Sequence, residues 1–452
     1  MTSHRDLLQN AATRAARYLD YLDERAVFPG REPIETLQNL MQASLPEGPS
    51  APETVLAQLD EVAGPATVAS SGGRYFGFVT GGALPVTVAA NWLATAWDQN
   101  SFNNVSSPAV ALIEETALRW VKQALELPAT AEGTLVTGAT MANFTCLAAA
   151  RQRVLADAGW DAEEKGLFGA PAIDVIVGEE GHATIFKVLS LLGIGRNQVI
   201  RVPADDQGRM RVDALPPISK PTILCIQVGN VNSGAFDPAA EIIAQAHKAG
   251  AWVHVDGAFG LWARASKALA PLAEGLEAAN SWATDAHKWL NVPYDCGVAI
   301  VREPDDLRSA MSISGAYLLT SGQRDQIDYS PDSSRRARAV DIWAALKSLG
   351  RSGLAEMIDR NCRQAVRIAN RLRQNNVEIL NDVVLNQVVV AFGDADRTNR
   401  VIKAVQADGT CWAGATVWKN RDAMRISVSG WATTDADIEK SLDAILKAHR
   451  EA

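Results

Sequence analysis

Residues 252–260 read WVHVDGAFG: a short apolar run, then an aspartate, then glycine and alanine. Five more short strand-like runs lie around it, TLVTG (134–138), IDVIVG (173–178), NQVIRV (197–202), TILCIQVG (222–229) and GVAIVRE (297–303). Helical stretches such as MANFTCLAAARQRVLADAG (141–159) and AAEIIAQAHKAG (239–250) separate most of them. Strand and helix in alternation predict an α/β fold with a mainly parallel sheet covered on both faces. Most of the strands are apolar throughout rather than alternating, as strands buried on both faces must be.

On either side of this region the pattern changes. Residues 1 to about 70 carry apolar positions at helical spacing (Leu7, Leu8, Ala11, Ala15, Leu19, Leu22), followed by Pro- and Gly-rich breaks. An arm with that much apolar surface needs a cover, and a second subunit is the natural one. After Arg338 comes a long helical region, then the strands VVLNQVVVAFG (383–393) and AMRISVSG (423–430). Thr434 and Asp437 have the spacing of a capping box before a last amphipathic helix. The expected division is a helical, dimer-forming arm (1–70), a large α/β domain (71–340) and a small α+β domain (341–452).

Composition agrees with a globular protein of two or three domains: 452 residues, 47% hydrophobic, 21% charged. A net charge of −9 argues against a nucleic-acid surface. No apolar run is long enough to cross a bilayer, and the N-terminus lacks the apolar segment of a signal peptide. The five cysteines are scattered with no CxxC pair, which suggests neither zinc nor a disulfide framework and fits a reduced, cytoplasmic protein.

In a parallel sheet, ligands gather where strands end and helices begin. Four such ends are chemically unusual here. Val136 to Asn143, VTGATMAN, is a small turn with a hydroxyl opening onto a helix N-terminus, suited to a phosphate; its plain alternative is a tight turn capped by Thr140. Asp256 ends a buried strand, where an unpaired carboxylate is costly, so it either meets a cationic or donating partner or caps the next helix. Gly257 and Ala258 after it leave room for a flat ligand, and His254, two residues earlier, faces the same side in a supporting or core role. In TDAHKWLNVPYDCG (284–297), Lys288 is either a solvated amine or one partly desolvated for attack on an aldehyde. In GEEGHATIFK (178–187), His182 is a helix cap, a core residue or a ring stacked on a ligand. Together, a phosphate cup, a buried carboxylate and an amine on successive strand ends match what pyridoxal 5'-phosphate (PLP) requires. The spacing of His182, His254, Asp256 and His287 fits no metal signature.

The motifs HKW with PYDCG, HVDGAFG and GNVNSGAFDP resemble the group II PLP-dependent amino acid decarboxylases, over nearly the whole chain. The resemblance implies a fold-type-I PLP enzyme with a seven-stranded, mainly parallel sheet, working as a homodimer. It implies Lys288 as the Schiff-base lysine, Asp256 as partner of the ring nitrogen and His182 as the stacking imidazole. Ala139 and Thr140 fall where the family binds phosphate, with His287 nearby, and Ala258 where a small residue packs on the cofactor face. Tyr317, in SGAYLLTSG, aligns with a loop tyrosine that protonates the substrate carbon, Tyr329 being the other candidate. Tyr75, Phe76 and Phe78, in RYFGFVTGG, fall in a substrate-side segment, and Asp237 and Arg335 at positions that pair in the animal aromatic members. Two departures stand out: Gln227 where a threonine is common, and Asp285 where those enzymes have an asparagine approaching the phosphate, awkward for an anion unless it points away.

The implied activity is α-decarboxylation of an L-amino acid, with a hint of an aromatic side chain. Aldehyde-forming oxidative deamination and transamination are alternatives on the same scaffold, and a catalytically idle regulatory protein is one of another class. Arg425, in AMRISVSG, either binds a carboxylate or ties down the small domain; the structural role is favoured, because an arginine gripping the α-carboxylate would hinder its departure.

Overall fold

The computed structural model describes residues 3–218, 221–313 and 322–452. Its larger sheet has seven strands, β1 (Glu132–Val136), β2 (Asp174–Gly178), β3 (Val199–Val202), β4 (Thr222–Gln227), β5 (Trp252–Asp256), β6 (Ser281–Asp285) and β7 (Gly297–Val301), in the order β1-β7-β6-β5-β4-β2-β3. From β3 across to β6 all pairs are parallel; β7 runs antiparallel to both neighbours and stands between β1 and β6. The expected seven-stranded α/β architecture is therefore present. β6 is the strand the apolar runs did not announce: SWATD is half polar, yet every residue in it is buried.

Alternate residues on these strands feed two apolar layers. Leu224, Ile226, Val253 and Val255 point into one, with Trp262 and Trp282. Ile223, Cys225 and Trp252 point into the other, with Cys146 and Leu147 of the helix Ala139–Asp157. By this period-two rule His254 and Asp256 face the helix side. His254 is fully buried, its ring nitrogens bonded to Ser281 Oγ (2.9 Å) and Asn143 Oδ1 (2.8 Å), and burial pushes its pKa down to about 3. It is a neutral core group.

A second, antiparallel sheet holds β8 (Glu378–Ile379), β9 (Gln387–Ala391), β10 (Gly414–Trp418) and β11 (Arg421–Ser427), in the order β10-β11-β9-β8. The helices Ala395–Asp408 and Asp435–Glu451 contribute Val401, Ile402, Ile438 and Leu442 to its core. Both halves of the Thr434–Asp437 capping box form, at 3.0 and 3.1 Å. The long helix Ala339–Arg373 breaks its helical path at Gly350, whose φ of 61° suits glycine. The three N-terminal helices, His4–Asp20, Arg31–Met41 and Pro52–Gln58, contain no buried residue. Among the described residues no helix is long and apolar enough to cross a membrane.

Candidate active site

The carboxyl ends of β1, β2, β4, β5 and β6 open onto one cavity of about 340 Å³. β1 delivers Ala139 and Thr140, β2 His182, β4 Gln227, β5 Asp256 and Ala258, and β6 Asp285, His287 and Lys288. All eight cofactor-side residues expected from the sequence thus meet in one place, with Asp285 added.

Asp256 is 5% exposed, and its carboxylate takes one hydrogen bond among the described residues, from the Ala258 N–H at 3.3 Å. Burial pushes its pKa above the ordinary carboxylate range, against the pull of His182 and Lys288. A buried carboxylate so thinly satisfied is a vacancy for a cationic donor. His182 caps the helix Ala183–Leu191 through Nδ1, which accepts from the Thr184 N–H at 3.4 Å and lies 2.7 Å from its hydroxyl. Accepting at Nδ1 assigns the proton of the neutral ring to Nε2, which has no protein partner among the described residues. Burial lowers the His182 pKa and keeps the ring neutral. The residue is at once the helix cap and a wall of the cavity.

Lys288 Nζ lies 3.1 Å from Asp285 Oδ2. Asp285 does not point away from the cup: its Oδ1 accepts the Ala139 N–H at 2.6 Å and lies 3.5 Å from His287 Nε2. His287 Nδ1 accepts the Cys296 N–H at 3.0 Å, its ring lies tilted against Tyr294 with 4.3 Å between ring centres, and burial lowers its pKa. Beside Lys288, Trp289 is fully buried and donates to Asn361 Oδ1 at 3.0 Å, tying the lysine turn to the long helix.

Asn291 completes that turn. With φ of 57° and no exposed surface, it donates to the Lys288, Trp289 and Ser429 carbonyls and accepts the Trp431 N–H. Two close approaches hold the rest. A Cβ on Gly81 would stand 2.0 Å from the Lys288 carbonyl, and one on Gly297 would stand 2.5 Å from the Gly138 backbone. The apposition of Gly138 and Gly297 seats the helix N-terminus beside the β6 end.

Several expected residues lie elsewhere. Phe76 is a core residue of the second sheet: its N–H donates to Trp412 and its carbonyl accepts from Ser427, which turns the ring inward among Val388, Val428 and Ile368. Tyr75 and Phe78 stack with Trp412, at 5.2 and 5.5 Å between ring centres, and do not line the cavity. Burial pushes the Tyr75 pKa up to about 12. Tyr317 lies outside the described residues. Tyr329 sits under the Arg324 guanidinium, which bonds Gly133 at the start of β1, the far end of that strand from the cup. Asp237 and Arg335 do not pair. Asp237 accepts the Met210 and Gln227 N–H groups, both at 2.7 Å, whereas Arg335 forms a fully buried ion pair with Glu114 at 3.2 Å and bonds the Leu135 carbonyl. Each thus finds a nearer partner. Arg425, largely buried, donates to the carbonyl of Val231, a cavity residue; among the described residues no carboxylate reaches it at ion-pair distance. Asn291, Gly81 and Tyr294 were not expected; a lone Asn or Gly carries little signal in sequence, and only the Pro-Tyr step of PYDCG pointed near Tyr294.

The donor set fits PLP: amide donors for a phosphate, a thinly satisfied carboxylate for a ring nitrogen, small residues for a flat ring and an amine for an aldehyde. The sequence pattern of the pyridoxal-dependent decarboxylase conserved domain matches residues 34–392. Aromatic-L-amino-acid decarboxylase of Bacillus atrophaeus is 25% identical over 443 residues, spanning 92% of this chain and 90% of that protein. L-2,4-diaminobutyrate decarboxylase of Rhizobium meliloti is 30% identical over 366 residues, 77% of this chain and 67% of that protein. The crystal structure of Oryza sativa TDC with PLP and tryptamine superposes with a TM-score of 0.91 at 22% identity, covering 99% of this chain and 97% of the other. By the match over 34–392 and these likenesses, the chain belongs to the pyridoxal-dependent decarboxylase family.

Proposed function

We propose that this PLP-dependent carboxy-lyase acts on an L-amino acid with an aromatic or large apolar side chain, using Lys288, Asp256 and His182 as its working groups. The observation that carries the assignment of groups is the convergence of amine, carboxylate and helix N-terminus on one cavity. When bound, PLP supplies an electron-accepting ring conjugated to the substrate's Cα. Lys288 is the amine that would anchor the cofactor's aldehyde. Asp256 is the carboxylate that would hold a proton on the cofactor's nitrogen, a charge that would offset its own. His182 and Ala258 would flank the cofactor, His182 offering its Nε2–H to the substrate carboxylate, and Gln227 would stand near them. Thr140 and the amides of the Ala139–Asp157 helix hold the phosphate, with His287 beside them. The residues lining the cavity would orient the substrate's Cα–carboxylate bond so that carbon dioxide can leave. Tyr317 then delivers a proton to Cα.

The aromatic substrate class draws support from the likeness to the Bacillus atrophaeus aromatic-L-amino-acid decarboxylase and from Tyr294, which lies against the cavity residue His287. One observation favours an acidic substrate instead: Arg425 lies by the cavity without an anion. The exposed side chains Leu8, Leu19 and Met41 of the arm and Trp92, Leu93 and Trp97 beyond it support a homodimer. Five unpaired cysteines suit a reduced cytoplasm.

The test is a product assay over a panel of L-amino acids with added PLP. Amine and carbon dioxide from an aromatic amino acid are expected; aldehyde with ammonia, or a keto acid, as the main product overturns the reading. Lys288→Ala is expected to remove the bound-cofactor absorbance and to cut turnover about a thousandfold or more.

A further inference from the structure

Asp285 is 2% exposed and stands where the cofactor's phosphate and aldehyde are both to be held. Its Oδ1 already takes the Ala139 N–H, at the first turn of the phosphate-side helix, and its Oδ2 already takes the Lys288 amine. We propose that Asp285 is a built-in competitor of the cofactor: it occupies one of the phosphate's donors and the aldehyde's amine, and so keeps PLP exchangeable rather than permanently held. The inference rests on the reading that this cavity binds PLP with its phosphate at Ala139 and Thr140.

The charges around the cavity carry the argument. The cationic side chains facing it are Lys288 and, at its edge, Arg425; the anionic ones are Asp256 and Asp285. His182 and His287 are kept neutral by burial and add no positive charge. An incoming phosphate dianion therefore meets a cup with no cation of its own among the described residues and a carboxylate already seated on its first amide. Once the Lys288 nitrogen is taken up by the aldehyde, Asp285 loses its ion-pair partner and remains a buried anion beside the phosphate. An asparagine at this position keeps an oxygen for the Ala139 N–H and removes the charge. Two charges a few ångströms apart in a half-dry site repel strongly enough that removing one strengthens phosphate binding by at least about tenfold.

The experiment compares apo wild type and Asp285→Asn, titrated with PLP and, separately, with pyridoxal, which lacks the phosphate. Dissociation constants come from the bound-cofactor absorbance and from tryptophan quenching. The variant is expected to bind PLP about tenfold or more tightly, to lose it more slowly on dilution, and to prefer PLP over pyridoxal by about tenfold more than wild type does. An unchanged or smaller preference in the variant, with wild type binding PLP normally, overturns the role of Asp285 and leaves the cofactor reading standing. A folded wild type that binds neither compound overturns the cofactor reading itself. Circular dichroism checks folding, and Asp285→Ser carries the same comparison if Asp285→Asn does not fold.

Discussion

Replacing Asn291 tests how Lys288 is held. Its amide donates to the Lys288 carbonyl at 3.3 Å, Trp289 at 2.9 Å and Ser429 at 3.1 Å, and accepts the Trp431 N–H at 2.8 Å, and Asn291 itself has no exposed surface. Asn291→Ala deletes these bonds. The Lys288 carbonyl keeps the N–H of residue 291, whereas the other three groups are stranded, each at about 1 kcal/mol or somewhat more. The left-handed backbone at φ 57° adds about 1 kcal/mol once a side chain unable to bond locally sits there. The total is about 4–5 kcal/mol. Urea unfolding of the apo protein measures it, with Asn291→Gly as the partner variant. Glycine loses the same bonds but tolerates the backbone, so it should be about 1 kcal/mol more stable than alanine. PLP affinity should fall in both, because the lysine turn loses its tie to residues 429–431. An alanine variant within about 1 kcal/mol of wild type, with PLP affinity unchanged, refutes the reasoning.

Gly81→Ala should lower PLP affinity about tenfold or more while costing about 1–3 kcal/mol, since its Cβ would meet the Lys288 carbonyl at 2.0 Å; unchanged cofactor binding would show that the lysine does not depend on that contact. His254 supplies a pH signature. Its folded pKa is lowered to about 3, so the unfolded chain takes up the proton first: the contribution is complete above the unfolded value of 6.5 and is lost as pH falls towards about 3. The stability gap between wild type and His254→Gln should narrow by about 2 kcal/mol between neutral pH and about pH 5, and a constant gap in urea titrations counts against the buried neutral imidazole.

Much of this site is legible in the sequence because its chemistry sits at the ends of strongly apolar strands. Val253, Val255, Leu224 and Ile226 announce β5 and β4, and Asp256 and Gln227 follow directly. The Thr434–Asp437 box was equally legible, being a bond between neighbours in sequence. What escaped depends on contacts between distant segments. β6 is polar in composition and buried by its central position. Phe76 looks like any aromatic on a pocket wall until Trp412 and Ser427 pair with its backbone. Nothing near Arg335 in sequence reveals that Glu114 is its partner, and nothing near Asp285 reveals that Ala139, across the sheet, offers it an N–H. The pairing inferred for Asp237 and Arg335 failed for that reason: each was satisfied by groups that only the fold brings near.

The strand order has a consequence for how the protein is made. β1 borders only β7 in its sheet, with Val136 opposite Gly297, and Gly297 is in turn opposite Asp285. During synthesis β1 emerges early but has no edge to join until residue 301 of 452 has left the ribosome. The loop that must close is long, which makes this a slow, late step of folding. A nascent chain stalled before that point should retain no vitamin B6 aldehyde, however well the earlier strands have assembled.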